Sequence, residues 1–211
     1  MREVIMTHGL WVPGLVMRPL AARLEGAGFR CHHFSYMGAA RPLAAHAERL
    51  ARMARNVTEK CGPAHFIGHS LGGLVILEAL GAHPEIATGR VVLLGTPARG
   101  CYAGRRLARH SAGRWFLGQS EDLWREGRAV NWARPEALGV VAGSLPLGLG
   151  RLFGALPGVN DGVVALEETS VDGMTERTVL PVGHSAMLIS SRVARSVAHF
   201  LEHGHFPPSL R

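Results

Sequence analysis

The segment Gly68-His69-Ser70-Leu71-Gly72-Gly73 constrains this chain more than any other. It joins a short apolar run, Ala64–Ile67, to a helix-like run, Leu71–His83. A strand that passes into a helix this abruptly must turn sharply, and the turn leaves no room for side chains at 68 and 72. Glycine stands at both. Ser70 then projects from the tip, beside the positive end of the following helix. Glycine is abundant here, 27 of 211 residues, so the spacing alone carries little weight. The setting between strand and helix supplies the weight, together with the lack of a second copy.

Six strand-like runs are legible: Glu3–Thr7, Phe29–Tyr36, Ala64–Gly68, Arg90–Gly95, Leu138–Gly143 and Arg177–Val182. Several are continuous apolar stretches, as expected of parallel strands covered on both faces. Helical patterns separate them. Leu43, Ala47, Leu50, Ala54 and Val57 recur at helical spacing after Pro42, a residue favoured at helix starts. Leu71, Leu74, Val75 and Leu80 do the same, and Leu188, Val193, Val197, Phe200 and Leu201 mark a last helix. Alternating strands and helices predict an α/β fold: a doubly wound, mainly parallel sheet of about six strands with helices on both faces. Residues 1–211 form one expected domain, with no internal repeat or linker. Two stretches break the alternation. Residues 98–135 are expected to form a small cap, in which Ala108, Ala112, Trp115 and Phe116 share one helical face. Residues 144–160 form a Gly- and Leu-rich loop.

A serine hydroxyl needs a base to become a nucleophile, and the base needs an orienting group. Reactive groups of such sheets gather at the carboxyl ends of strands. Of the twelve histidines, His184 fits best. It follows the final strand in Val182-Gly183-His184-Ser185. His46, His83, His199 and His203 read as helix-surface positions, and His65 and His69 flank the strand before Ser70. The acid is expected between Ser70 and His184 in chain order. Asp122 lies in the 98–135 excursion and Asp172-Gly173 reads as an ordinary turn. Asp161, in Asn160-Asp161-Gly162, sits after the fifth strand and is the favoured acid. Donors for a developing oxyanion are expected at the backbone N–H of Leu71 and of Leu10, the latter in Thr7-His8-Gly9-Leu10 at the end of the first strand. Trp11, Trp115, Phe116, Leu147 and Phe153 are candidates to line an apolar substrate pocket.

These motifs resemble those of the α/β-hydrolase family, in particular compact bacterial lipases and esterases. The matching residues are His8-Gly9-Leu10, Gly68-His69-Ser70-Leu71-Gly72-Gly73, Asn160-Asp161-Gly162 and Gly183-His184, in family order across nearly the whole chain. The resemblance implies a Ser70–His184–Asp161 triad, an oxyanion hole at Leu10 and Leu71, and hydrolysis of carboxylic esters through an acyl-enzyme. Thioesterase or acyltransferase chemistry on the same triad, or a non-catalytic ligand-binding role, are the alternatives. The chain is shorter than larger family members, as if lacking their first two antiparallel strands.

Composition narrows the partners. Hydrophobic residues make up 47% and charged residues 18%, a globular balance without a run long enough to span a membrane. The net charge is +7, with Lys60 the single lysine among 23 basic residues. The basic residues are scattered apart from Arg99–Arg114, and no nucleic-acid motif accompanies them. The segment 104–117 is basic and amphipathic, and a solvated face is favoured over contact with a membrane surface. No metal or cofactor motif appears, so none is expected. Three cysteines, an odd number with no metal-ligand spacing, and the lack of a signal-peptide pattern point to a cytoplasmic setting. The expected partner is a small ester with an apolar acyl group.

Overall fold

The structure is a computed structural model that describes residues 2–10, 13–120, 130–147 and 156–208. Its centre is a sheet of six parallel strands: β1 (Arg2–Thr7), β2 (Phe29–Phe34), β3 (Ala64–His69), β4 (Thr88–Leu94), β5 (Leu138–Gly143) and β6 (Glu176–Leu180). Their order across the sheet is β2-β1-β3-β4-β5-β6. The chain therefore moves outward from β1 to β2, then returns to β3 on the other side of β1. This reversal opens a crevice between the carboxyl ends of β1 and β3. Ser70 and Leu10 follow those two strands.

Alternation along each strand divides the core. Ile5, Phe66, Val91, Leu93 and Val140 face one layer, with the helices α2 (Leu43–Cys61) and α3 (Leu71–Ala82). Val4, Met6, Ile67, Val92, Leu94 and Val141 face the other, with α1 (Arg18–Gly26) and the C-terminal helix (Ser191–His203). Both sheet faces are thus dry, which is why the strands read as apolar runs. α3 is apolar nearly all round, because the sheet and α2 enclose it. Arg134 closes its far end. The guanidinium donates to the carbonyls of Leu80, His83 and Ile86 and pairs with Glu136 at 2.9 Å.

Some expected boundaries move. β2 stops at Phe34 rather than Tyr36, because Tyr36 turns to bond with His8. β6 stops at Leu180 rather than Val182, and Leu188 belongs to a 3-10 turn, Ser185–Leu188, not to the last helix. That helix starts after Ser190, whose side chain accepts from Val193 N–H. The excursion after β4 is not one amphipathic helix. It breaks into α4 (Tyr102–Leu107) and α5 (Ser111–Leu117). The fold-back is tight: a Cβ on Gly113 would stand 1.9 Å from the Leu107 carbonyl oxygen. Ala108 is therefore buried while Trp115 is 80% exposed, so the shared face does not form. His46 is likewise no surface residue. It is 2% exposed, on the inner side of α2.

The sheet and the serine turn meet through glycine. A Cβ on Gly72 would lie 2.5 Å from the His8 carbonyl oxygen and 2.6 Å from that of Thr7. We predict that Gly72→Ala destabilises the fold by about 1–3 kcal/mol, as overpacking does. Gly81, near the other end of the same helix, has nothing within 4 Å of such a Cβ. Gly81→Ala should stabilise by about 0.5–1 kcal/mol, the ordinary helix preference. Denaturant unfolding of the two variants checks the contrast, and equal effects would refute it.

Candidate active site

Ser70 is the only non-glycine among the described residues with positive φ, at φ 54° and ψ −126°. Such a conformation costs about 1–3 kcal/mol and persists only where its surroundings enforce it. They do so here. The Ser70 N–H donates to Leu94 O at 2.9 Å, and Gly73 N–H returns to Ser70 O at 3.0 Å. Thr7 Oγ1 donates to Gly72 O at 2.8 Å, tying the end of β1 to the first turn of α3. A Cβ on Gly9 would lie 3.1 Å from Ser70 Cβ and 3.5 Å from its Oγ. The exit of β1 therefore runs directly alongside the serine.

Asp161 divides its carboxylate between two tasks. Oδ1 accepts from the N–H groups of Val163 at 2.9 Å and Val164 at 2.7 Å, closing the turn. Oδ2 takes His184 Nδ1–H at 2.7 Å. The His184 N–H also donates to Asp161 O at 2.8 Å, so backbone and side chain fix the pair together. Asp161 is 1% exposed and His184 6%. Burial alone pushes the Asp161 carboxyl up. The charge and hydrogen bond of His184, with the two backbone N–H groups, outweigh it and hold the group below the usual value.

Two residues link this pair to the serine. Gly95 follows Leu94, the partner of the Ser70 N–H, and has φ 54°. A Cβ there would lie 2.9 Å from Asp161 Oδ2 and 3.0 Å from His184 Nδ1. On the other side, His69 Nε2–H donates to His184 O at 3.1 Å, with the two rings 4.7 Å apart. His69 is buried, and burial, reinforced by the charge of His184, drives its imidazole down to about 3. It is a neutral spacer between Ser70 and the His184 backbone.

Leu10 and Leu71 also come together: a Cβ on Gly38 would lie 3.0 Å from Leu10 Cδ1 and 3.0 Å from Leu71 Cδ2. His8 sets this segment. Its Nδ1–H donates to Gly9 O at 2.9 Å, and its Nε2 accepts from Tyr36 N–H at 3.2 Å. Tyr36 OH donates to His8 O at 2.8 Å, and the two rings stack at 4.6 Å. Burial keeps the His8 imidazole below its ordinary value and so neutral.

Among the candidate pocket residues, Trp115 borders a cavity of about 450 Å3 with Pro13, Tyr36, Met37, Gly38 and Gly118. The Leu147 side chain is 62% exposed, though its carbonyl abuts Gly183. Trp11, Phe153 and the Phe116 side chain lie outside the described residues. Sequence reasoning includes His8 and His69 in its motifs without giving them a role, and it missed Tyr36 and Gly95. Position just past a strand end was the available signal for Gly95. Among the described residues, no three His, Cys, Asp or Glu side chains are grouped to hold a metal ion, and no helix is long and apolar enough to cross a membrane.

The sheet order and the strand–turn–helix at its switch point are those of an α/β-hydrolase fold. The chain belongs to the alpha/beta hydrolase family, whose model matches residues 4–208. It is similar in structure to the propeptide form of the Bacillus licheniformis lipase BlEst2, with TM-score 0.81 and 16% identity over 100% of this chain and 52% of that one. It thus spans about half the length of that lipase. It also resembles the metagenomic carboxyl esterase MGS0156, with TM-score 0.78 and 18% identity over 96% of this chain and 76% of that one. A thermophilic esterase from Thermogutta terrifontis gives TM-score 0.69 at 16% identity, covering 97% and 91%. No curated protein matches the sequence. At these identities the likeness is one of fold.

The buried neutral histidines set a pH dependence. His69, which is buried, titrates at about 3 and the half-buried His65 at about 4 when folded, against 6.5 when exposed. The unfolded chain therefore binds more protons between those limits, and their contribution to stability, complete above 6.5, drains away as pH falls. Asp161, held low, adds loss in the same direction at still lower pH. The melting temperature should fall steadily from pH 7 to pH 4. A flat profile would contradict the burial of neutral imidazoles.

Proposed function

We propose that the protein hydrolyses carboxylic esters, with Ser70 as nucleophile, His184 as base and Asp161 as orienting acid. The observation that carries this reading is the 2.7 Å bond from His184 Nδ1 to a buried aspartate. It commits Nδ1 to Asp161 and leaves Nε2 as the basic nitrogen, in a histidine packed against the neighbours of a strained serine. In this mechanism His184 Nε2 takes the Ser70 proton as Oγ attacks the ester carbonyl. Asp161 offsets the imidazolium charge. The N–H groups of Leu10 and Leu71 receive the oxyanion. The intermediate collapses, His184 returns the proton to the departing alcohol, and an acyl-Ser70 remains. Water, deprotonated by His184, then releases the acid.

The cavity of about 450 Å3 beside Gly38 would take an apolar acyl or alcohol group. Its wall at Gly38 adjoins Leu10 and Leu71, so it opens beside the proposed oxyanion donors. In this reading Trp115 and Gly118, from the described part of the excursion after β4, belong to a small cap over the cavity within a single domain. The cap is anchored by Glu168, whose buried carboxylate accepts the N–H of Tyr102 at the start of α4 and that of Ala165, at 2.9 Å, in the Asp161 loop. The free Cys31, Cys61 and Cys101 fit a cytoplasmic setting.

Turnover of a nitrophenyl ester series tests the assignment. Ser70→Ala and His184→Ala should each lower kcat by up to ~10⁶, and Asp161→Asn by about 10⁴. Esters with short and medium apolar acyl chains should be preferred over long ones. Full esterase activity in Ser70→Ala would overturn the proposal.

A further inference from the structure

The start of α2 and the loop before it border a second, open cavity of about 570 Å3, lined by His8, Ser35, Tyr36, Arg41, His46 and Arg49 among others. Among the described residues, no carboxylate borders it. Arg41 is exposed and Arg49 half-buried, its guanidinium 5.5 Å from the centre of the Phe34 ring. Neither pairs with a carboxylate among the described residues. The N-terminus of α2 adds its positive end: Pro42 supplies no side-chain cap and the first turn carries no acidic residue.

His46 makes this more than a helix end. It is 2% exposed, and neither ring nitrogen has a hydrogen-bond partner among the described residues. Leaving a buried polar group unpaired costs about 1–3 kcal/mol. Burial, then the charge of Arg49, push its imidazole below the ordinary value, with Arg41 acting the same way. The carbonyls of Gly38 and Arg41 stand near the ring, outside hydrogen-bond geometry, and pull in the opposite direction. Among the described residues, what the cavity lacks is a well-aligned partner for the His46 ring and a counter-charge for two guanidinium groups.

We propose that this cavity binds a small oxyanion, a phosphate or carboxylate group, between Arg41, Arg49 and His46. Planar guanidinium groups match the paired oxygens of such anions, and an imidazole N–H completes the set. The anion is either a free ligand or the charged end of a substrate. The second source is within structural reach. His46 packs on Tyr36 with ring centres 4.7 Å apart, and Tyr36 stacks on His8, beside Gly9 and Ser70.

Calorimetric titration with inorganic phosphate, at constant ionic strength held by chloride, tests the site. Wild type should bind phosphate saturably, and the His46 ring resonances should shift with the same midpoint. Arg41→Gln, a surface change that leaves the core intact, should weaken binding by about tenfold, as should Arg49→Gln. No saturable binding, or wild-type affinity in both variants, would overturn the proposal. A second arm separates the sources. Phosphate that inhibits hydrolysis of a nitrophenyl succinate half-ester but not of the neutral acetate assigns the pocket to the substrate. Phosphate that binds without inhibiting either assigns it to a separate ligand. Binding is read without turnover, so failure of the esterase reading would leave this result standing.

Discussion

Gly72 has no side chain because the carbonyls of Thr7 and His8 occupy the space where its Cβ would be. The contact presses the first turn of α3 against the exit of β1, and the rest of the site follows from it. Gly68 and Gly73 face each other at the same point, 2.5 Å apart if Gly68 carried a Cβ. The backbone between them can close only if Ser70 takes a conformation that side-chain-bearing residues avoid. The strain is held by hydrogen bonds to β4 and within α3. It puts the hydroxyl beside Gly9, at the crevice where the strand order reverses.

Around that turn, most of the buried polar atoms are committed to a named partner. Asp161 gives one oxygen to its own loop and the other to His184. His8 gives one nitrogen to Gly9 and the other to Tyr36. His69 is stripped of charge by burial and uses its Nε2–H on the His184 backbone. The arrangement restricts His184 and the Leu10 segment through the neighbours of Ser70. Preorganisation of this kind lowers the reorganisation needed when charge develops.

Much of the architecture was legible in the sequence because it rests on local or periodic signals. Continuous apolar runs marked the strands, and glycines at 68 and 72 marked the turn. Order along the chain singled out Asp161 and His184. What could not be read depends on contacts between distant segments. The polar ring of His46 suggests a surface position, but it lies three residues after Leu43 and four before Leu50 on the inner face of α2, packed against Tyr36. The 104–117 segment reads as one amphipathic helix, but it breaks between Leu107 and Ser111, where Gly113 lets α5 fold back against Leu107. The His8–Tyr36 pairing joins two strand exits that are 28 residues apart. Asp161 reads as either an acid or a turn residue; its Oδ1 closes the turn and its Oδ2 bonds His184.

The central claim is that Ser70 is an activated nucleophile. Reaction with a fluorophosphonate followed by peptide mass spectrometry tests it without assuming any substrate. The account predicts a single adduct on the peptide carrying Ser70, formed rapidly in the wild type and abolished by His184→Ala. An unlabelled Ser70 in folded protein, or labelling unaffected by the loss of His184, would contradict it.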